Sequence, residues 1–456
     1  MEYASKAVGT AGLSLGIIGT SLGALAGAGG LAGLLGVRPG PGGDPGDRPV
    51  TRYEMAMQHE IASKDSKIAL LEANTYNDTM LTNLEYYKGE VYTLRALAYS
   101  ELIKLFCEAY DPATAKEAKG VVLRKSYSQA EEAVRASLYD SYQFVLNDLS
   151  KAEELLSSDY DMYSSDYATK ALAEALHARV ALYMQDWDTA IEYSTKMIED
   201  NAFSLSTAAT YTTGVSPITN QQKAYTYVDY MWTNDLATEI IWMVDYTITS
   251  YGGALGQVFL NFNNDYVYYY PDYVPSQWVL DLYKAGDARY SAYFTTLQTG
   301  YAHGLSWPLL TKYFGNEKFI ADIIYHVSQP KPLRLAEQYL IRAEAYCRKD
   351  QYSLASADIM NLRKARYTSG ASASLNKENW LQTISEERVK ELYMEGFRLH
   401  DLKRWNMGFT RKPQTSTQSE GSSLDIKAGN PLFVWPIPQN EIEAPGSGIK
   451  GNESNR

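Results

Sequence analysis

From Tyr86 onward, apolar positions recur at helical spacing. Leu94, Leu97, Ala98, Leu102, Leu105 and Phe106 gather on one helix face. Residues 138–156 repeat the pattern through Leu138, Tyr142, Val145, Leu149, Ala152 and Leu156. Residues 171–201 read as a helix, a tight turn at 185–188 and a second helix. Their Ala178, Ala181, Trp187, Ala190 and Ile191 follow the small/aromatic alternation of a tetratricopeptide repeat. In such a unit small residues let the paired helices approach, and the aromatic fills the gap at the turn. Residues 333–366 place Ala343, Tyr346, Tyr352 and Ala355 in the same relative positions. The expected fold is mainly α, with tetratricopeptide-like helix pairs forming a scaffold along a continuous buried seam.

Residues 202–332 break this rhythm. The runs SPITN, YGGALG, NFNNDYVYYYPDYVPSQW and YAHGLSWPLL interleave aromatics with Gly, Pro and Asn, which is loop chemistry. An irregular, aromatic-rich insert on a rigid frame is where binding function concentrates. The candidate ligand contacts are Trp232, Tyr251, Tyr268, Tyr269, Tyr270 and Trp307. A sugar ring offers an apolar face to such rings and a rim of hydroxyls to nearby Asn, Asp and Tyr groups. The alternative for each ring is that it packs the insert onto the frame.

Residues 384–405 read as one helix, opened by a capping box of Thr383 and Glu386. Val389, Leu392, Tyr393, Gly396, Leu399 and Leu402 form its apolar stripe. Glu395, Arg398, Asp401 and Arg404 stand three apart, so opposite charges alternate along one edge. A carboxylate beside Arg has a lowered pKa and makes a poor general acid. This ladder, with Trp405, therefore reads as structural.

Ahead of the body, residues 7–37 carry no charge and are crowded with Gly and Ala. Three readings stand: a stretch long enough to span a bilayer, a signal peptide that Lys6 opens and Ala24-Leu25-Ala26 closes, or a flexible leader. Residues 39–49, PGPGGDPGDRP, mark a linker. The chain divides into a leader and linker (1–50), a polar helix (51–84) and a helical domain (85–456) with its insert at about 202–332.

The formal net charge of −12 leaves no basic stripe for a nucleic-acid backbone and no electrostatic anchor for anionic lipid. Thirty-eight tyrosines suit contact with sugars or peptides, because Tyr joins a flat apolar face to a polar tip; the alternative is that many of them fill helix interfaces. Cys107 and Cys347 lie in helical, apolar stretches and read as buried free thiols or as a disulfide pair. The five histidines make no zinc spacing, and no metal or cofactor is expected.

Four stretches resemble the SusD/RagB family over residues 85–445: GEVYTLRALAYSELIKLF at 89–106; the 333–366 pair, with its Ala-Glu-x-Tyr-Leu-Ile-x-Ala-Glu-Ala run closed by Asn361-Leu362-Arg363; the Glu-Arg-x-x-Glu-Leu…Glu-Gly-x-Arg…Asp-Leu-x-Arg-Trp helix; and FVWPIPQNEI at 433–442, with Trp435 and Pro436. Pro275-Ser276, Asp287-x-Arg289 and Lys312-Tyr313 fit as well. The resemblance implies a non-catalytic lipoprotein of the outer membrane, at the cell surface, that lids a SusC-like TonB-dependent transporter and captures an oligosaccharide or peptide. These are scaffold motifs and do not name the substrate. The family's lipidated Cys has no counterpart before Cys107, and the segment before residue 85 reads as a phage-derived or mis-joined leader.

Competing readings are a helical glycoside hydrolase, a tetratricopeptide-like interaction scaffold and, from the leader alone, a phage virion component. The hydrolase needs two carboxylates about 5–10 Å apart, drawn from Asp229, Asp235, Glu239, Asp245, Asp265, Asp272, Asp281 and Asp287. The aromatic insert favours capture over the scaffold, and the family motifs favour it over the others.

Overall fold

Short polar side chains set the helix starts in the first half of the body. Ser137, Thr169 and Asp186 each accept a hydrogen bond from a backbone N–H three residues on, which satisfies one of the free donors of a first turn. The computed structural model describes residues 78–124, 132–158, 165–263, 267–300, 304–411 and 424–455. The leader and linker expectations, and most of the 51–84 helix, lie outside the described residues.

Fourteen α-helices are found among them: α1 (Asp78–Phe106), α2 (Leu138–Leu155), α3 (Lys170–Tyr183), α4 (Trp187–Glu199), α5 (Tyr227–Thr233), α6 (Gln257–Leu260), α7 (Gln277–Leu282), α8 (Ala288–Tyr293), α9 (Glu317–Ala321), α10 (Leu335–Arg348), α11 (Tyr352–Arg366), α12 (Trp380–Glu391), α13 (Arg398–Arg404) and α14 (Gln439–Glu443). None of the described helices is long and apolar enough to cross a membrane. The described strands are short and pair only in antiparallel twos. The fold is thus mainly helical, as the periodicity predicts. The composition shift at 83–85 falls inside α1, which runs through it unbroken.

Both expected helix pairs form. Gln185, at φ +61°, turns the chain between α3 and α4. Ala178, Ala181 and Ala190 are fully buried together with Ile341 and Ala345 of α10, and Trp187 and Ile191 pack on their rim. Small side chains let three helices meet there. Ala343 and Ala355 are buried in the α10–α11 pair, with Tyr346 and Tyr352 at its edge.

The helix expected over 384–405 is two helices. α12 ends at Glu391, Met394 and Gly396 adopt φ of +58° and +87°, and α13 starts at Arg398. Left-handed backbone cannot continue a right-handed helix. Thr383 lies inside α12, so the expected capping box does not form; Glu386 instead accepts from Gln382. Cys107 and Cys347 are free and buried. Burial pushes their thiols up to about 11 and about 12.

Candidate functional site

The insert is held to the frame by a buried ionic cluster. Glu391, at the end of α12, accepts from Arg366 at 2.8 and 3.0 Å, from Arg334 at 3.0 Å and from Arg289 at 3.0 Å. Glu239 bridges Arg334 and Arg366, both at 2.7 Å. Glu387 takes Arg289 at 2.8 Å, Arg363 at 2.7 Å and Lys390 at 3.0 Å. Arg289 and Glu239 belong to the insert, while the other partners belong to the frame. Burial alone raises a carboxyl, but Arg366, Arg334 and Arg289 outweigh it and hold Glu391 well below the usual carboxylate range. Arg289, Lys390 and Arg363 do the same for Glu387.

The expected charge ladder is redistributed. Glu395 pairs with Lys312 and Arg334, and Arg398 donates to Ser385 Oγ at 2.7 Å instead of reaching its neighbouring acids. Only Asp401–Arg404, at 2.8 Å, pairs along the edge. Arg404 and the Trp405 indole both bind Glu344 of α10. Trp435 sits edge-on to Phe106, its backbone N–H donates to Leu105 O, and Pro436 follows at the surface.

Acid should weaken this cluster. Unfolded carboxylates take up protons near 4.5, whereas native Glu387 and Glu391 refuse them until far lower pH. Their stabilisation is complete above about pH 5.5 and is lost progressively as pH falls. Asp148 and Glu174, which burial pushes up, act in the opposite sense. The measurement is therefore a comparison of wild type with Glu387→Gln by urea denaturation. The stability gap narrows between about pH 5 and pH 3; a constant gap contradicts the assignment.

The six candidate aromatics have different surroundings. Trp232 is 3% exposed and lies in the insert's core with Phe259, Tyr293, Leu309 and Tyr313. Tyr269 and Trp307 pack on the rim of that core. Trp307 Nε1 donates to Pro275 O at 2.9 Å, and Tyr269 meets Phe262 edge-on at 4.9 Å. The strand Tyr268–Tyr269 joins Phe262–Asn263 and bridges to Thr299, beside the hairpin that carries Trp307. Tyr268, Tyr269, Tyr270 and Trp307 therefore lie on two adjoining hairpins. Tyr251 lies apart, exposed, its ring 6.1 Å from that of buried Phe319.

Other exposed rings gave no signal in the sequence, because exposure follows from tertiary placement. Tyr325 is exposed beside Phe314, and Ile323 beside it is more exposed still. Tyr211, on the hairpin Thr210–Val215/Gln222–Thr226, meets Tyr227 at 5.5 Å and Tyr230 at 4.4 Å, both on α5. Gly300 abuts Tyr270 so closely that a Cβ there would fall within the phenol ring. Gly300→Ala should therefore displace Tyr270 with little loss of stability, since only a side-chain end must move. If Tyr270 contacts ligand, affinity falls while the melting curve stays in place; an unchanged affinity removes Tyr270 from the site.

Four of the eight acids proposed for hydrolysis are held in ion pairs. Asp229 pairs with Lys223, Asp235 with Lys331, Glu239 with Arg334 and Asp287 with Arg289. Asp265 lies outside the described residues. Asp245 differs: burial pushes it up, and Asp166, itself pushed up by burial, lies within its electrostatic reach.

Two family models match the chain, the SusD family over residues 286–452 and "Starch-binding associating with outer membrane" over residues 44–182. The second range begins ahead of residue 85. The starch-binding protein SusD of Bacteroides thetaiotaomicron is 33% identical over 149 residues, 32% of this chain, and the match spans only 25% of that relative's length. A SusD superfamily structure from Bacteroides vulgatus shares the fold with a TM-score of 0.70 at 20% identity, covering 98% of each chain. One from Bacteroides thetaiotaomicron gives 0.69 at 23% identity, covering 88% of this chain and 85% of its own.

Proposed function

Since this chain belongs to the SusD family, we propose that it binds a glycan at the outer-membrane surface without cleaving it and passes it to a SusC-like, TonB-dependent transporter. The observation that carries the reading is how the chain divides. The family matches end at residue 182 and resume at residue 286. The stretch between them, matched by neither, holds exposed Tyr211, Tyr227, Tyr251, Phe262 and Trp278. A frame matched by the family models, carrying an aromatic segment that those models leave unmatched, suits a protein whose relatives differ in ligand.

The names of the relatives support the coarser part. One family description refers to starch binding and the outer membrane, and the curated relative is a starch-binding protein. Both favour a glycan over a peptide. The absence of hydrolysis is supported by the ion pairs that occupy Asp229, Asp235, Glu239 and Asp287. We assign the contact surface to Tyr251 and to the adjoining hairpins of Tyr268, Tyr269, Tyr270 and Trp307, with Trp232 acting beneath them.

The test is retention of the full chain on a panel of immobilised polysaccharides, with reducing ends assayed in the same samples. Retention without new reducing ends is the expected result. Tyr251→Ala, Tyr268→Ala and Trp307→Ala should each weaken a retained glycan by about 1–3 kcal/mol, judged by stacking at other polymer-binding sites. Release of reducing ends would turn attention to Asp166 and Asp245. Failure to retain any glycan would overturn the reading.

A further inference from the structure

Arg388 on α12 is 2% exposed, yet only one of its three nitrogens has a protein partner. Nε donates to Asp401 Oδ2 at 2.7 Å, while Nη1 and Nη2 are buried with no acceptor on the protein. Tyr183, at the end of α3 and 7% exposed, also has a buried hydroxyl without a partner. The two groups share surroundings. Asp401 also accepts from Arg404, whose guanidinium stands 5.5 Å from the Tyr183 ring. The Phe397 ring lies 5.6 Å from the Arg388 guanidinium and 6.0 Å from the Lys104 ammonium, which in turn lies 5.8 Å from Tyr183. Burial and then Asp401 push the Tyr183 phenol far above its usual range, against Arg404, Arg388 and Arg179. The hydroxyl therefore keeps its proton and can donate it.

The acids nearby are engaged elsewhere. Asp401 Oδ1 takes Arg404 and Oδ2 takes Arg388. Glu344 takes Arg404 and Trp405, Glu337 takes Arg179, and Glu101 takes Lys104. A buried donor left unpaired is costly, and more so when it is charged.

We propose that Arg388 Nη1 and Nη2 and the Tyr183 hydroxyl form an internal binding site for a small monovalent anion of the halide class. A water molecule is the competing occupant: it could accept from these donors and give its hydrogens to the second lone pairs of Asp401 Oδ2 or Glu344 Oε2, and a bromide soak separates the two. An anion has no hydrogen to place, and Lys104, Arg179, Arg388 and Arg404 all stand near the Tyr183 side chain. Each of those cations already has a carboxylate, so the hold is modest. The site lies in the frame and does not depend on the glycan reading.

Two measurements on the full chain test it. Crystals soaked in sodium bromide should show an anomalous peak within hydrogen-bond reach of the Arg388 nitrogens and the Tyr183 hydroxyl. The melting temperature should rise with sodium chloride but not with sodium gluconate at equal ionic strength. Arg388→Met also breaks the Asp401 pair and risks unfolding, so Tyr183→Phe carries the solution test. That variant keeps the ring, loses one donor and should need several-fold more chloride for the same rise. A site without bromide, equal melting in the two salts, or an unchanged response in Tyr183→Phe overturns the proposal.

Discussion

Glu391→Gln is expected to be among the most damaging single substitutions in the body. The change keeps the side chain's shape and removes its charge, leaving Arg289, Arg334 and Arg366 partly uncompensated where each is fully buried. Removing one partner of a buried ion pair costs about 3–5 kcal/mol, because the remaining charge keeps its desolvation penalty. Glu239 and Glu387 blunt the effect, since they also bind Arg334, Arg366 and Arg289. The midpoint of urea unfolding, with its slope, measures the loss. A drop under about 1 kcal/mol would mean that those two acids suffice and that Glu391 is dispensable.

The acids and arginines of this cluster come from distant parts of the chain, and that separates what the sequence reveals from what it hides. The α3–α4 and α10–α11 pairs were legible because their determinants are local: alanines at helical spacing and an aromatic at the turn. The Glu395–Arg398–Asp401–Arg404 spacing is equally local, yet it predicts the wrong partners. The helix breaks at Met394 and Gly396, and Glu395 turns to Lys312 and Arg334, 83 and 61 residues away. Spacing states which charges can meet on an unbroken helix, and a left-handed turn cancels that inference. Met394 carries no mark of its own conformation, since residues other than Gly seldom adopt it.

The aromatic insert was legible as a composition and illegible as a surface. Gly, Pro and Asn beside Tyr and Trp identify irregular chain, but they do not say which rings end under others. Tyr211 reaches solvent from a hairpin that reads like any other Thr-rich stretch, and Tyr227 from the first position of α5 behind it. Trp232 has the opposite fate. It lies on α5, which a Thr226–Asp229 capping box begins, and that short helix delivers the indole into the core.

Trp232→Ala should therefore destabilise the protein rather than selectively abolish binding. The indole is 3% exposed, and three cations lie over its ring: Lys312 at 4.0 Å, Lys331 at 4.6 Å and Arg334 at 5.4 Å from the centroid. Truncation opens a cavity at a typical cost of about 3–5 kcal/mol. It also strips the buried ammonium of Lys312 of a π-face that helps it remain charged. Burial already lowers Lys312 to about 8 despite its pair with Glu395. The lysine should then release its proton at still lower pH in the variant. Trp232→Phe, which keeps a ring over the cations, should lose less than half as much. The contrast is measured by thermal melting and by retention on the glycan the wild type binds. A Trp232→Ala protein that melts like wild type but no longer holds the glycan would move this residue from the core to the binding surface.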